Sequence, residues 1–342
     1  MAQRLQGTVL VCTPLAEEAL ALLRERVFVR EARPQTKEAL MAALGPDVLA
    51  LILGVQPLVD GEVMDRAPNL RAIGRKGVGV DNVDLEAARA RGIFVLNTPL
   101  APVEPVAELT LGFLIALARS LVRADRATRQ GDWEVRLRHK GPELRGKTLG
   151  LVGFGRIGQR VAELVQPLQM RILYHDVCRY PEAEARLGAI PVPLVTLFRE
   201  ADWVSVHVPL TEETRHLIGR DLFALMKPSA FLINVARGPV VDEDALVEAL
   251  RERRIAGAAL DVFAHEPLPP EHPLCGLDNV ILTPHIGGLS QEGELAMSMV
   301  ARDVLAVLEG REPVHAAVRP EPQATPPSVV VAPPDEVRGD PR

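Results

Sequence analysis

The sequence predicts an α/β protein made of two doubly wound, parallel-sheet domains. Three observations carry that expectation. The chain has 342 residues, more than one hydrophobic core ordinarily organises. Short apolar runs of strand length alternate with amphipathic stretches of helical period, the pattern of a parallel sheet covered on both faces. The alternation lapses once, over a long helical stretch at about 103–130, and then restarts.

In the first unit the strand-like runs are TVLVC (8–12), VLALIL (48–53), LRAIG (70–74) and IFVLN (93–97). Between them LAEEALALLRER (15–26) and DLEAARAR (84–91) are amphipathic. The second unit begins at KTLGLVGFGRIG (147–158). It continues through RILYHD (171–176), WVSVHVP (203–209), FLINVA (231–236), AALDVF (258–263) and NVILTP (279–284). A helix over about 291–308 closes the ordered part. From Arg319 the chain carries seven prolines, so 319–342 is expected to be an extended or disordered tail.

Composition narrows the function classes. Hydrophobic residues make up 47% and charged residues 25%, the profile of a soluble globular protein. A formal net charge of -6 argues against a nucleic-acid-binding surface, though not against a local basic pocket. Cys12, Cys178 and Cys275 are odd in number and scattered. They suggest neither a disulfide framework nor a metal site, and point to a reducing, cytoplasmic setting. The opening MAQRLQGTVLVCT lacks the long apolar region of a signal peptide. The most apolar segment, LTLGFLIALA (109–118), is about half a membrane span and is bracketed by Glu108 and Arg119. It reads as a buried or subunit-interface helix, with no membrane contact.

GLVGFGRIG supplies Gly153, Gly155 and Gly158 in G-x-G-x-x-G spacing, after an apolar run and at the start of a helical pattern. A second apolar run ends in Asp176, 18 residues beyond Gly158. That is the dinucleotide fingerprint of a Rossmann unit in its required context. Gly153 allows the tight turn, Gly155 admits the pyrophosphate and Gly158 lets helix and sheet pack closely. The helix N-terminus offers free N–H groups to the phosphates. Asp176 accepts hydrogen bonds from the ribose hydroxyls and repels a 2′-phosphate, so NAD is expected over NADP. Arg179, three residues on, is the feature that opposes that preference.

Three polar residues follow successive strand-like runs of the second unit, where open α/β sheets bind ligands. They are Arg237 in INVARGPV, Glu266 in ALDVFAHEP and His285 in ILTPHIGG. Each alone has an ordinary reading: a surface ion pair, a turn, a structural histidine. Together they suit hydride transfer between a nicotinamide and a 2-hydroxy or 2-keto acid. Arg237 grips the substrate carboxylate with its planar fork. His285 exchanges a proton with the substrate oxygen, and Glu266 fixes the ring's tautomer. His265 is the main competitor for the histidine role, with His207 and His272 weaker.

These residues lie in segments that resemble the D-isomer-specific 2-hydroxyacid dehydrogenases, most closely the short form of the D-3-phosphoglycerate dehydrogenase branch. The matching segments are GRKGVGVDNVDLEAARARGIFVLNTP (74–99), VAELTLG (106–112), GKTLGLVGFGRIG (146–158), NVARGPVVDEDAL (234–246), ALDVFAHEP (259–267) and NVILTPHIGG (279–288). The resemblance spans about 7–316. It implies a discontinuous layout: residues 1–100 plus 287–318 form a flavodoxin-like substrate domain, and 101–286 form the NAD domain. It also implies a homodimer built around the NAD domains, and an active site in the cleft between domains. Family roles map onto Arg237, Glu266 and His285. Substrate-carboxylate binding maps onto Gly77, Val78 and Gly79, and NAD contacts onto Thr98, Arg156, Ile157, Val235 and Asp261.

Two departures stand out. Longer phosphoglycerate dehydrogenases carry a C-terminal regulatory domain where this chain has its proline-rich tail, so that regulation is not expected. Lys76, beside the carboxylate loop, is a candidate to meet a phosphate or second carboxylate together with Arg75. The competing reading is a solvated charge at a strand end. 3-Phosphoglycerate, glycerate or hydroxypyruvate, glyoxylate and lactate-like acids all fit. The alternative function is an NAD(H)-responsive binding protein, since corepressors of the C-terminal binding protein type resemble the same fold and keep the same three residues.

Overall fold

Apolar and β-branched runs form the strands, and the strands join two separate sheets. In the computed structural model, which describes residues 4–320, the first sheet takes β1 (Thr8–Val11), β2 (Phe28–Glu31), β3 (Val48–Leu53), β4 (Ala72–Arg75) and β5 (Phe94–Leu96). The second takes β6 (Thr148–Val152), β7 (Arg171–His175), β8 (Ile190–Pro191), β9 (Trp203–Val206), β10 (Phe231–Asn234), β11 (Gly257–Leu260) and β12 (Val280–Leu282). A last strand, β13 (Ala316–Val318), returns to the first sheet.

The first sheet has the order β13-β5-β4-β3-β1-β2. Its pairs are parallel except β13 with β5, which is antiparallel. The period-two pattern of β3 explains its two faces. Leu51 and Leu53 join a cluster with Leu10, Ile73 and Val95. Ala50 and Ile52 join the opposite cluster, which the helix Val300–Leu308 covers with Val300, Val304 and Leu308. Thus the last helix of the described chain seals one face of a sheet whose strands β1 to β5 lie within the first hundred residues.

The second sheet is wholly parallel, in the order β12-β11-β10-β9-β6-β7-β8. Connections run outward in both directions from the β6–β9 pair. This reversal opens a crevice beyond the C-terminal ends of the central strands, the ligand position of doubly wound sheets.

Five features depart from the sequence expectation. β2 is an exposed edge strand with two charged residues, and β8 has only two residues, so neither gives an apolar run. β13 adds an antiparallel edge to a sheet expected to be parallel. The helical stretch at 103–130 is two helices, Val103–Ala118 and Leu121–Arg129, bent by 60° at Ser120, whose φ is 50°. The stretch at 291–308 is likewise two helices, Gln291–Ser298 and Val300–Leu308. The proline-rich tail lies, beyond Pro320, outside the described residues. Among the described residues no single helix is long and apolar enough to cross a membrane.

Candidate active site

The glycine-rich turn joins β6 to the helix Arg156–Val165. Gly153 has φ of 97°, and a Cβ there would lie 2.8 Å from the His207 backbone. Both facts demand glycine. A Cβ on Gly155 would meet nothing within 4 Å, so the turn presents open backbone at the helix N-terminus. Asp176 ends the next strand and is tied to this turn. Its Oδ2 accepts the Phe154 N–H at 2.6 Å and its Oδ1 the Cys178 N–H at 3.0 Å. Arg156 is exposed, Ile157 faces the interdomain cleft, and Val235 is buried just past β10. Arg179 is paired with Glu184, which engages its Nε at 2.8 Å and its Nη2 at 2.7 Å. Beside Asp176 stands Val177, 100% exposed and with no charge to offer a 2′-phosphate.

The loops after β10, β11 and β12 bring Arg237, Glu266 and His285 together. His285 Nδ1 lies 2.7 Å from Glu266 Oε2, and the other carboxylate oxygen accepts the Phe263 N–H at 3.1 Å. Burial works to raise the Glu266 carboxyl, but His285, the Phe263 N–H and Arg237 outweigh it and hold the group below its usual range. Its pairing therefore stabilises the fold above the unfolded glutamate range and is lost as pH falls through the lowered value.

Asp261 builds the loop that carries the histidine. It is 1% exposed, yet its Oδ1 accepts Thr283 Oγ1–H at 2.6 Å and Ile286 N–H at 2.9 Å, and its Oδ2 accepts Gly287 N–H at 2.7 Å. The Asp261 carbonyl also accepts the His285 N–H at 2.8 Å. These bonds hold His285 at φ 55°, a left-handed conformation costing a non-glycine residue about 1–2 kcal/mol. The carboxylate approach also explains Gly287, where a Cβ would lie 2.9 Å from Asp261 Oδ2. Mapped onto an NAD contact from the sequence, Asp261 here has its carboxylate engaged within the protein.

The first unit supplies the opposite wall. Gly77 donates its N–H to Thr98 Oγ1 at 3.1 Å, and its carbonyl accepts the Thr98 N–H at 2.9 Å. Thr98, mapped onto an NAD contact, thus braces the carboxylate loop. Among the described residues the N–H groups of Val78 and Gly79 find no partner. The loop therefore offers a carboxylate two donors rather than three. Arg237 crosses to this wall: its Nε donates to Asp81 Oδ1 at 3.1 Å and its Nη1 to the Ala236 carbonyl at 2.7 Å. A Cβ on Gly79 would lie 1.8 Å from Arg237 Nη2, so only glycine lets the guanidinium rest against the loop.

Lys76 lines the cleft with Arg75 and is not the solvated charge of the competing reading. Its side chain is 7% exposed and its ammonium is bound to Glu294, with a second bond to the Pro14 carbonyl at 2.9 Å. Arg75 lies under the loop. Burial, then the neighbouring Arg237, pull its pKa down to about 10 against the opposing pull of Asp81. Between these walls lies a cleft of about 800 Å³.

Residues 111–287 match the family model described as "D-isomer specific 2-hydroxyacid dehydrogenase, NAD binding domain". The chain belongs to this dehydrogenase family. It is 44% identical over 308 residues to a glyoxylate reductase of Thermofilum pendens, covering 87% of this chain and 91% of that one. It is 45% identical over 305 residues to a D-3-phosphoglycerate dehydrogenase of Methanocaldococcus jannaschii, covering 88% of this chain and 57% of that one. Among solved structures, the TT0316 protein of Thermus thermophilus is similar, with a TM-score of 0.85 and 44% identity over 91% of this chain and all of that one. An NADPH-dependent glyoxylate/hydroxypyruvate reductase of Sinorhizobium meliloti has a TM-score of 0.82 and 34% identity, over 92% and 97%.

The cofactor of this dehydrogenase is NAD, and the residues present fit it: an open glycine cradle, a helix N-terminus and an acidic residue bound to the cradle. The three histidines that the sequence offered beside His285 are placed differently. His265 is exposed and is not among the residues lining the cleft. His207 is half-buried with Nε2 2.9 Å from Ser205 Oγ, and burial of the ring pushes it down to about 3, so it stays neutral. His272 pairs with Glu243 at 3.2 Å, behind the loop that carries Glu266.

Proposed function

We propose that the protein interconverts a small D-2-hydroxy acid and its 2-keto acid, with a glycerate/hydroxypyruvate-like or 3-phosphoglycerate-like substrate. The observation that carries the reading is the convergence of three groups past successive strands. A carboxylate-paired imidazole and a guanidinium face two unpartnered backbone N–H groups across one cleft. Bound NAD supplies the hydride chemistry. The N–H groups of Val78 and Gly79, with Arg237, hold the C1 carboxylate. His285, its Nδ1 fixed by Glu266, presents Nε2 to the substrate oxygen and gives or takes the proton there. The relatives' names, glyoxylate reductase and D-3-phosphoglycerate dehydrogenase, support an enzyme over a binding module. The test is NADH oxidation with a panel of 2-keto acids. The expected result is saturable turnover yielding the D-hydroxy acid, and no turnover with any acid overturns the reading.

In this reading residues 1–100 plus 287–318 form the substrate domain and 101–286 the NAD domain. The separate sheets and the return of β13 to the first of them support that division. The environment of Asp176 leads to a second expectation. NADH should exceed NADPH in kcat/KM by roughly tenfold or more, and Asp176→Ala should erase most of that ratio.

The exposed apolar side chains Ile115, Leu121, Val122, Trp133 and Leu137 gather in one stretch of the NAD domain. Such a grouping on the surface supports a homodimer. Sedimentation should give a dimer, and Ile115→Glu should shift it towards monomer. The free thiols of Cys12, Cys178 and Cys275 support a reducing, cytoplasmic setting.

A further inference from the structure

We infer that Asn97, just past β5, is a positioning residue for the substrate carboxylate: it fixes the peptide plane that aims the Gly79 N–H into the cleft. The inference rests on the dehydrogenase reading above and adds to that site a residue from behind its wall.

A peptide unit is planar and trans, so its C=O and its N–H point in opposite directions. Two such units make up the carboxylate loop. The first joins the Gly77 carbonyl to the Val78 N–H, and the second joins the Val78 carbonyl to the Gly79 N–H. Residues that follow β5 hold both. The Gly77 carbonyl accepts the Thr98 N–H at 2.9 Å and Thr98 Oγ1–H at 3.3 Å. The Val78 carbonyl accepts an Asn97 Nδ2–H at 2.7 Å. Gly77, Val78 and Gly79 line the cleft, whereas Asn97 and Thr98 do not. The two carbonyls therefore face the strand end, and the two N–H groups point away from it, toward the cleft.

The backbone does not keep the second plane in place unaided. Turning it over changes only ψ of Val78 and φ of Gly79, and glycine tolerates φ of either sign. The first plane has a backbone donor, the Thr98 N–H, that no side-chain change removes. Among the described residues, the second is pinned by the Asn97 amide alone. Its direction matters because of what lies beside it. Arg237 Nη2 carries no partner among the described residues, and a Cβ on Gly79 would lie 1.8 Å from it. As the plane stands, the Gly79 N–H and Arg237 Nη2 offer donors to one carboxylate. Turned over, the plane would present the Val78 carbonyl, which repels that carboxylate.

The test is steady-state reduction of glyoxylate and hydroxypyruvate with NADH by Asn97→Ala and Asn97→Asp. The alanine frees the plane and is expected to raise KM by about tenfold. The aspartate sets a carboxylate against the Val78 carbonyl and should raise KM by about a hundredfold, the upper worth of one hydrogen bond to a charged group. kcat should change by less than about threefold, since the loop holds the carboxylate alike in ground and transition states. Calorimetry reads the same step without turnover. Oxamate, a carboxylate analogue of a 2-keto acid, should bind the NADH-loaded variants more weakly by the same factors, and NADH should bind them as it binds wild type. An active wild-type protein whose two variants keep its KM overturns the inference and leaves the dehydrogenase reading intact. A loss confined to kcat, or an equal loss of NADH affinity, overturns it in the same way. Asn97→Asp keeps the shape of the side chain, so it decides the matter if Asn97→Ala does not fold. Reduction of no acid by the wild-type protein overturns both readings.

Discussion

Replacing His285 with alanine is expected to lower kcat for 2-keto acid reduction by roughly a hundred- to ten-thousandfold, the usual worth of a positioned general acid. NADH binding should change little, because the ring lies in the substrate cleft and the glycine-rich turn is built on a different strand. Several groups hold the ring in place: Glu266 on Nδ1, the Asp261 carbonyl on its N–H, and Asp261 Oδ1 on the following N–H. Glu266→Gln keeps the size of that partner but removes its charge, so it should cost less than losing the ring. The pH dependence of the wild-type rate follows from the direction of the Glu266 shift. The carboxyl is held low and stays ionised at ordinary pH. A loss of kcat from its protonation should appear only below about pH 4.5, where an unperturbed glutamate titrates. An acid limb owed to Glu266 at higher pH would contradict the pairing. Stopped-flow rates across the acid range, on wild type and Glu266→Gln, separate these outcomes.

Arg237→Ala is expected to reduce kcat/KM by about 2–5 kcal/mol in free energy, the range for removing one partner of a partly buried charge pair. Most of the loss should appear in KM, since the guanidinium holds the carboxylate in ground and transition states alike. Arg237→Lys should recover little. A single ammonium cannot serve Asp81, the Ala236 carbonyl and the substrate from the geometry that the planar fork spans. A lysine variant within tenfold of wild type in kcat/KM would show that positive charge alone suffices there.

Much of the site was legible because its signals are local. Gly153, Gly155 and Gly158 sit within six residues, after an apolar run that can only be a strand edge to a helix. Arg237, Glu266 and His285 each follow such a run, and the strand ends then converge in space. What escaped is non-local. The bond between Arg237 and Asp81 joins residues 156 apart, and nothing beside Asp81 announces it. Lys76 pairs with a residue 218 positions away, which ties the carboxylate loop to a late helix. Asp261 did carry a signal: a carboxylate following the apolar strand AAL must be buried, and a buried carboxylate needs donors. Ser120 carried none. Its left-handed backbone breaks a helical pattern with neither glycine nor proline at the bend.

The helix Val300–Leu308 lies far along the chain from the sheet face that it covers. During translation, strands β1 to β5 leave the ribosome roughly 200 residues before Val300 does. At about 5–20 residues per second, that delay is on the order of ten to forty seconds. Throughout it the face formed by Val9, Val11, Ala50, Ile52 and Ala72 lacks its lid. The NAD-binding sheet, continuous in sequence from β6 to β12, is complete only some 18 residues before Val300. The nascent first hundred residues are therefore the segment that a holding chaperone would have cause to shield.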